Sequence, residues 1–180
     1  MNLRKLLYLL LFPCLLLISS CEEDEGTAPT PAVSLPVTID LGPVQVTRGT
    51  TSFTVDNFDF TGFDILSEPS EPGRGILLNP AAGQTADPPA FLALDLTSNS
   101  DIKSSDIKSI TLFYDNWCNS GCVYVVQTLD AAGNVLRELN DDVTVPRGPN
   151  QEITLNNISA SIATLKITSG EFTVRTITLR

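Results

Sequence analysis

The chain contains no histidine. The commonest general base and the commonest metal ligand are therefore missing, and so is every Ser-His or Cys-His nucleophile pair. Positive charge is scarce as well. Eleven Lys and Arg stand against 21 Asp and Glu, a net charge of −10, which repels phosphate backbones and argues against nucleic acid as a partner. No G-x-S-x-G, H-E-x-x-H or phosphate-cradling glycine loop occurs. A glycosidase needs only two carboxylates, but the Glu-x-Asp strand pattern of the retaining jelly-roll glycosidases is not found in the strand-like runs. The expectation is a protein that is not an enzyme. What is present is ordinary globular material: 180 residues, 42% hydrophobic and 18% charged, enough for one domain.

No apolar run is long enough to cross a bilayer as a helix of about 20 residues. The longest, residues 6–18, is interrupted by Pro13 and follows the positive pair Arg4 and Lys5, which is the pattern of a secretory signal over residues 1–20. At its end, Ile18-Ser19-Ser20-Cys21 resembles the lipobox of bacterial lipoproteins. That resemblance implies cleavage before Cys21 and acylation of Cys21, so the expected membrane partner is reached through lipid. Each acyl chain contributes about 0.8 kcal/mol per buried CH₂, and two or three chains anchor a protein stably.

Residues 21–36 read as a flexible acidic and proline-rich tether. Glu22-Glu23-Asp24-Glu25 is a like-charge block that stays solvated, and three prolines follow it within residues 26–36. An acidic run just behind the lipid cysteine resembles the signal that sends some lipoproteins to the outer face of the outer membrane. The expected location is therefore lipid-anchored, outer-membrane and facing the cell surface. Because the leader carries Arg4 and Lys5 and no acid, the chain from Cys21 onward has a net charge of −12. Lipid, and not attraction to anionic headgroups, must do the anchoring.

Cysteine usage points to the same oxidising compartment. Cys14 leaves with the leader and Cys21 takes lipid, which leaves Cys118 and Cys122. Their spacing fits neither a CxxC redox motif nor a four-ligand zinc site, so a disulfide is expected. Closing so short a loop is worth roughly 2 kcal/mol, enough to stiffen one loop.

Residues 37–180 show short β-branched and aromatic runs separated by turn residues, and no amphipathic helix. Strands are predicted at 43–47, 51–55, 75–78, 91–96, 108–114, 122–129, 134–138, 151–155, 161–168 and 171–179. Residues 130–134 predict a turn, and Ser169-Gly170 a tight hairpin between the last two strands. Phe172 and Val174 have one parity and Ile177 and Leu179 the other, which predicts a bulge near Arg175-Thr176. Residues 61–90, with five prolines and four glycines, predict a long loop region around one short strand.

The second half is similar to a known fold. The runs Ser109-Ile110-Thr111-Leu112-Phe113, Val123 through Leu136 with its Asp130-Ala131-Ala132-Gly133-Asn134 turn, Ile162 through Ile167, and Phe172-Thr173-Val174 resemble the galactose-binding-like jelly rolls of carbohydrate-binding modules. The resemblance implies an all-β, two-sheet jelly-roll sandwich, frequent calcium, and ligands held at loop ends. Those domains often carry aspartates where this chain has Arg175-Thr176, so no binding residue carries over.

The candidate ligand site is Trp117, the sole tryptophan, with Asp115, Asn116 and Asn119 beside it. An exposed indole can stack on a pyranose ring while amides and carboxylates take its hydroxyls. The other arrangement open to Trp117 is as a cover packed over Cys118 and Cys122. Tyr114 and Tyr124 extend a platform only if they face outward. Asp56, Asp59, Asp141 and Asp142 are the available oxygen donors for a structural calcium, although none lies in an EF-hand loop. The expectation is a surface lipoprotein that binds glycan through its loops; the competing one is a structural or protein-interaction module of the cell envelope.

Overall fold

A computed structural model describes residues 34–69, 71, 73–78, 89–117, 124–141 and 143–180. The β-branched and aromatic runs form strands β1 (Val37–Asp40), β2 (Ser52–Val55), β3 (Phe58–Phe63), β4 (Ile65–Ser67), β5 (Ile76–Leu78), β6 (Phe91–Asp95), β7 (Ser109–Asn116), β8 (Tyr124–Asp130), β9 (Val135–Leu139), β10 (Gly148–Asn156), β11 (Ile162–Ser169) and β12 (Phe172–Leu179). The one short helical piece among the described residues is a 3-10 turn at Ser104–Asp106.

The strands pair antiparallel in two six-stranded sheets. The first runs β10-β7-β12-β5-β4, with β1 also on β12; the second runs β2-β3-β6-β11-β8-β9. Packed face to face they make an all-β, jelly-roll-like sandwich, as the alternation predicts. Period-two patterning supplies the core: Phe58 and Phe60 point in while Asp59 and Thr61 point out, and Ile110, Leu112 and Tyr114 face Leu92, Leu94, Leu165 and Ile167 in the same buried cluster. Tyr114 stacks on Phe172 with centroids 4.6 Å apart, and Phe53 on Phe60 at 4.9 Å. Tyr114 and Tyr124 are thus both core residues and extend no outer platform.

Several expectations are corrected. Residues 43–47 form no strand: the Ser67 hydroxyl takes the Val46 N–H at 2.6 Å and donates to the Val44 carbonyl at 2.8 Å, and the Ser67 N–H donates to the Val46 carbonyl at 2.8 Å, so one residue holds the segment in place of a ladder. Residues 61–90 are not one loop around one strand, because β3 extends through Phe63 and β4 pairs with β5 from Ile65↔Leu78 to Ser67↔Ile76. Ser169-Gly170 makes no hairpin. β11 and β12 lie in different sheets, so this turn carries the chain across the sandwich. The predicted bulge is present as a register shift between Val174 and Thr176. Opposite it, Gly75 (φ +137°) lies so close to the Val174 carbonyl that a Cβ would collide with it.

Register defines two ends. Phe172 faces Asn116 and Leu78 at one end of β12, and Leu179 faces Ile110 and Val37 at the other. Seven residue steps separate these ends, about 23 Å at 3.3 Å per residue. Since β11 leads into β12 through Gly170 and Glu171, Ser169 and its partner Tyr124 belong to the first end; Ile162 and its partner Asp130 belong to the second. The chain enters the sandwich at this second, N-terminal end.

Candidate functional site

Strand β7 builds the site by alternation. Tyr114 and Asn116 turn inward, so Asp115 and Trp117 have the outward parity of the first sheet. Asp115 is nevertheless fully buried, because guanidinium groups close over it. Arg175, on the bulge of β12, donates from Nη2 to both carboxylate oxygens at 2.8 and 2.6 Å and from Nε at 2.9 Å. Arg74, from the β4–β5 loop, donates from Nε at 2.8 Å, and the Asn150 N–H donates at 2.7 Å. Arg175 also donates to the Asn150 side-chain oxygen at 2.8 Å and lies 5.1 Å from the Phe113 ring centre. Arg74 pairs in addition with Glu71. Beside this node Thr173 donates to the buried Glu68 carboxylate at 3.0 Å.

Burial alone would push the Asp115 carboxyl up. The Asn150 N–H, Arg175 and Arg74 outweigh it and hold the carboxyl below its ordinary range. For Arg74, desolvation works downward and is overcome by Asp115 and Glu71, so its guanidinium is held above its ordinary value. The node is a closed, charge-compensated structure that ties β7, β10, β12 and the β4–β5 loop together.

Trp117 follows directly, 45% exposed, at the end of the sandwich opposite the chain's entry. The Trp117 backbone N–H donates to the Glu171 carbonyl at 2.9 Å, which fixes the strand end to the β11–β12 turn. The expected set is therefore only partly assembled. Trp117 is an exposed ring on a pinned backbone, whereas Asp115 and Asn116 are buried and rim no ligand groove. The strand's period of two puts Asn116 on the core side, and the two arginines occupy Asp115. Asn119, Cys118 and Cys122 lie outside the described residues, as do Cys21, the leader, Asp142 and the tether before Ser34.

The calcium donors are dispersed. Asp56 lies in the β2–β3 turn at the N-terminal end and Asp59 on β3 just after it, where it accepts from the Thr54 hydroxyl at 2.8 Å. Asp141 lies in the β9–β10 connection, its Oδ1 taking the Val143 and Thr144 N–H groups at 2.9 and 2.8 Å. Among the described residues no three His, Cys, Asp or Glu side chains come together as a metal site. A surface concavity of about 280 Å³ opens at Ser34, Leu35, Ile102, Lys103, Asp101 and Asp106, where the chain enters the sandwich.

No protein-family model and no curated protein matches this chain. The site rests on its own geometry. The residues that sequence reasoning missed are Arg74, Arg175 and Asn150, which hold the base of Trp117's strand. A signal for them existed: an arginine on a strand bulge, in a chain with few cations, needs an acidic partner.

Proposed function

We propose that this protein is a non-enzymatic lipoprotein, anchored through Cys21 at the outer face of the outer membrane, that binds an extracellular carbohydrate by stacking it on Trp117. The observation that carries the reading is the exposed indole at the end of the sandwich away from the chain's entry. The chain joins the sandwich at the entry end, so Trp117 lies at the end farther from the point of attachment. The ion-paired node under β7 and the bond to Glu171 hold the ring's backbone in place, so little order is lost when a sugar stacks. The missing histidines and nucleophile motifs support binding without turnover.

As the sole tryptophan, Trp117 reports its own occupancy by fluorescence. A glycan array on the folded protein is expected to give a hit that shifts Trp117 emission and disappears in Trp117→Ala. That substitution should cost under about 1 kcal/mol of stability, because the ring is nearly half exposed. A silent array, or a hit indifferent to Trp117→Ala, replaces this reading with a structural module of the cell envelope.

A further inference from the structure

The N-terminal end of the sandwich carries an unusual hairpin. β8 runs past Leu129 into a turn at 130–134, β9 returns from Val135, and every residue of 131–138 is exposed. The turn needs no burial to hold its shape. Asp130 Oδ1 accepts the Ala132 and Asn134 N–H groups at 2.9 and 2.8 Å, and Oδ2 accepts the Asn134 amide at 2.9 Å. The Gly133 N–H donates to the Asp130 carbonyl at 3.0 Å, and the Asp130 N–H to the Asn134 carbonyl at 3.0 Å. The one carboxylate of the turn is thus bonded to the turn itself, and the apolar side chains of Ala131, Ala132, Val135 (51% exposed) and Leu136 (38%) are left at the surface.

We infer that this hairpin tip docks on the surface of the phospholipid bilayer that holds Cys21, an inference that rests on the lipid anchor proposed above. The bilayer is the occupant because of where the tether joins. Val37 pairs with Leu179 at the same end of the sandwich as Asp130, which pairs with Ile162. Residues 21–36 span at most about 55 Å when extended, so the membrane is always within the tip's reach. Tethering raises the effective concentration to roughly millimolar, so a contact by these few apolar side chains gains an occupancy that the free domain would not have. Charge supplies no attraction, since the chain from Cys21 has a net charge of −12. The contact is hydrophobic and shallow, and it would orient Trp117 outward.

The test uses the full acylated chain in phosphatidylcholine vesicles with brominated acyl chains. An environment-sensitive dye is placed by Val135→Cys on the tip or by Val143→Cys at the opposite end, where Val143 is 88% exposed. Docking predicts that the dye at 135 shifts to the blue and is quenched by the bromines, while the dye at 143 is not. Leu136→Asp, an exposed change that leaves the turn's bonds intact, should return the dye at 135 to its aqueous emission. Equal aqueous emission at both positions, with Cys21 acylated by mass, overturns docking and leaves the anchor standing. An unacylated Cys21 overturns both. A blue shift that depends on protein-to-lipid ratio without quenching assigns the tip to a second copy of the chain and also overturns docking.

Discussion

Replacing Asp115 by alanine removes the shared counter-ion of two arginines. Arg74 and Arg175 are each only 17% exposed in their side chains, and the carboxylate between them is fully buried. Deleting one member of a buried ion pair costs about 3–5 kcal/mol, because the other charge stays desolvated. Both guanidiniums keep an edge to water and can relax toward it, so the lower figure applies, about 3 kcal/mol. At about 3 °C per kcal/mol for a domain of this size, the melting midpoint should fall by roughly 10 °C. Urea and thermal unfolding followed by circular dichroism measure this directly. The triple variant Asp115→Leu, Arg74→Met, Arg175→Met removes every charge at the centre of the node and places apolar chains beside Phe113. It should recover most of the loss, as buried ion pairs do when replaced by apolar groups. Acid titration adds a signed check. The folded carboxyl is held below its ordinary value, so its contribution is present above the unfolded value near pH 4 and is lost as pH falls through the folded one. Asp115→Asn should therefore flatten the acid limb of the stability curve. A fall of less than about 1 kcal/mol in Asp115→Ala would refute the claim that the arginines depend on this carboxylate.

Three further outcomes are expected. Gly75→Ala should cost at least about 2 kcal/mol in chemical unfolding, since the new Cβ meets the Val174 carbonyl at a φ of +137° that L residues avoid; an unchanged midpoint would show that the β5–β12 contact yields easily. Asp130→Ala should speed amide exchange at Ala132 and Asn134 with little change elsewhere, because the side chain and N–H of Asn134 are what hold the Asp130 carboxyl below its ordinary range. The phenol of Tyr114 is pushed well above its ordinary value by burial, with Tyr124 adding to it, so an absorbance titration should show no Tyr114 phenolate until the protein unfolds in alkali. Reversible ionisation of Tyr114 in the folded protein would contradict the packing of that ring on Phe172.

The alternation of Ile110, Leu112 and Tyr114, and of Ala163, Leu165 and Ile167, was enough to name the fold class, because a strand with one buried face writes its period of two into the sequence. The bulge of β12 was equally readable, since a change of parity within one strand has no other cheap explanation. Strand β3 carries a clear alternation too, Phe58 and Phe60 against Asp59 and Thr61, but the prolines and glycines that follow it obscured it. The turn at Ser169-Gly170 misled for a different reason. A two-residue connection looks the same whether the next strand pairs beside the last one or crosses to the facing sheet.

Composition and local pattern, then, determined an all-β chain with outward and inward residues on each strand, since both follow from backbone geometry and the avoidance of buried polar groups. They also placed Trp117 in the connection after the strand predicted at 108–114, which stops two residues short of where β7 ends. Only the tertiary structure decided what surrounds it. Asp115 shares Trp117's outward parity, and parity alone would give it to solvent or a ligand. It is buried because Arg74, 41 positions earlier, and Arg175, 60 positions later, converge on it. An ion pair across such distances leaves no periodic trace along the chain; it exists only after the sheet has set the register that brings its members together.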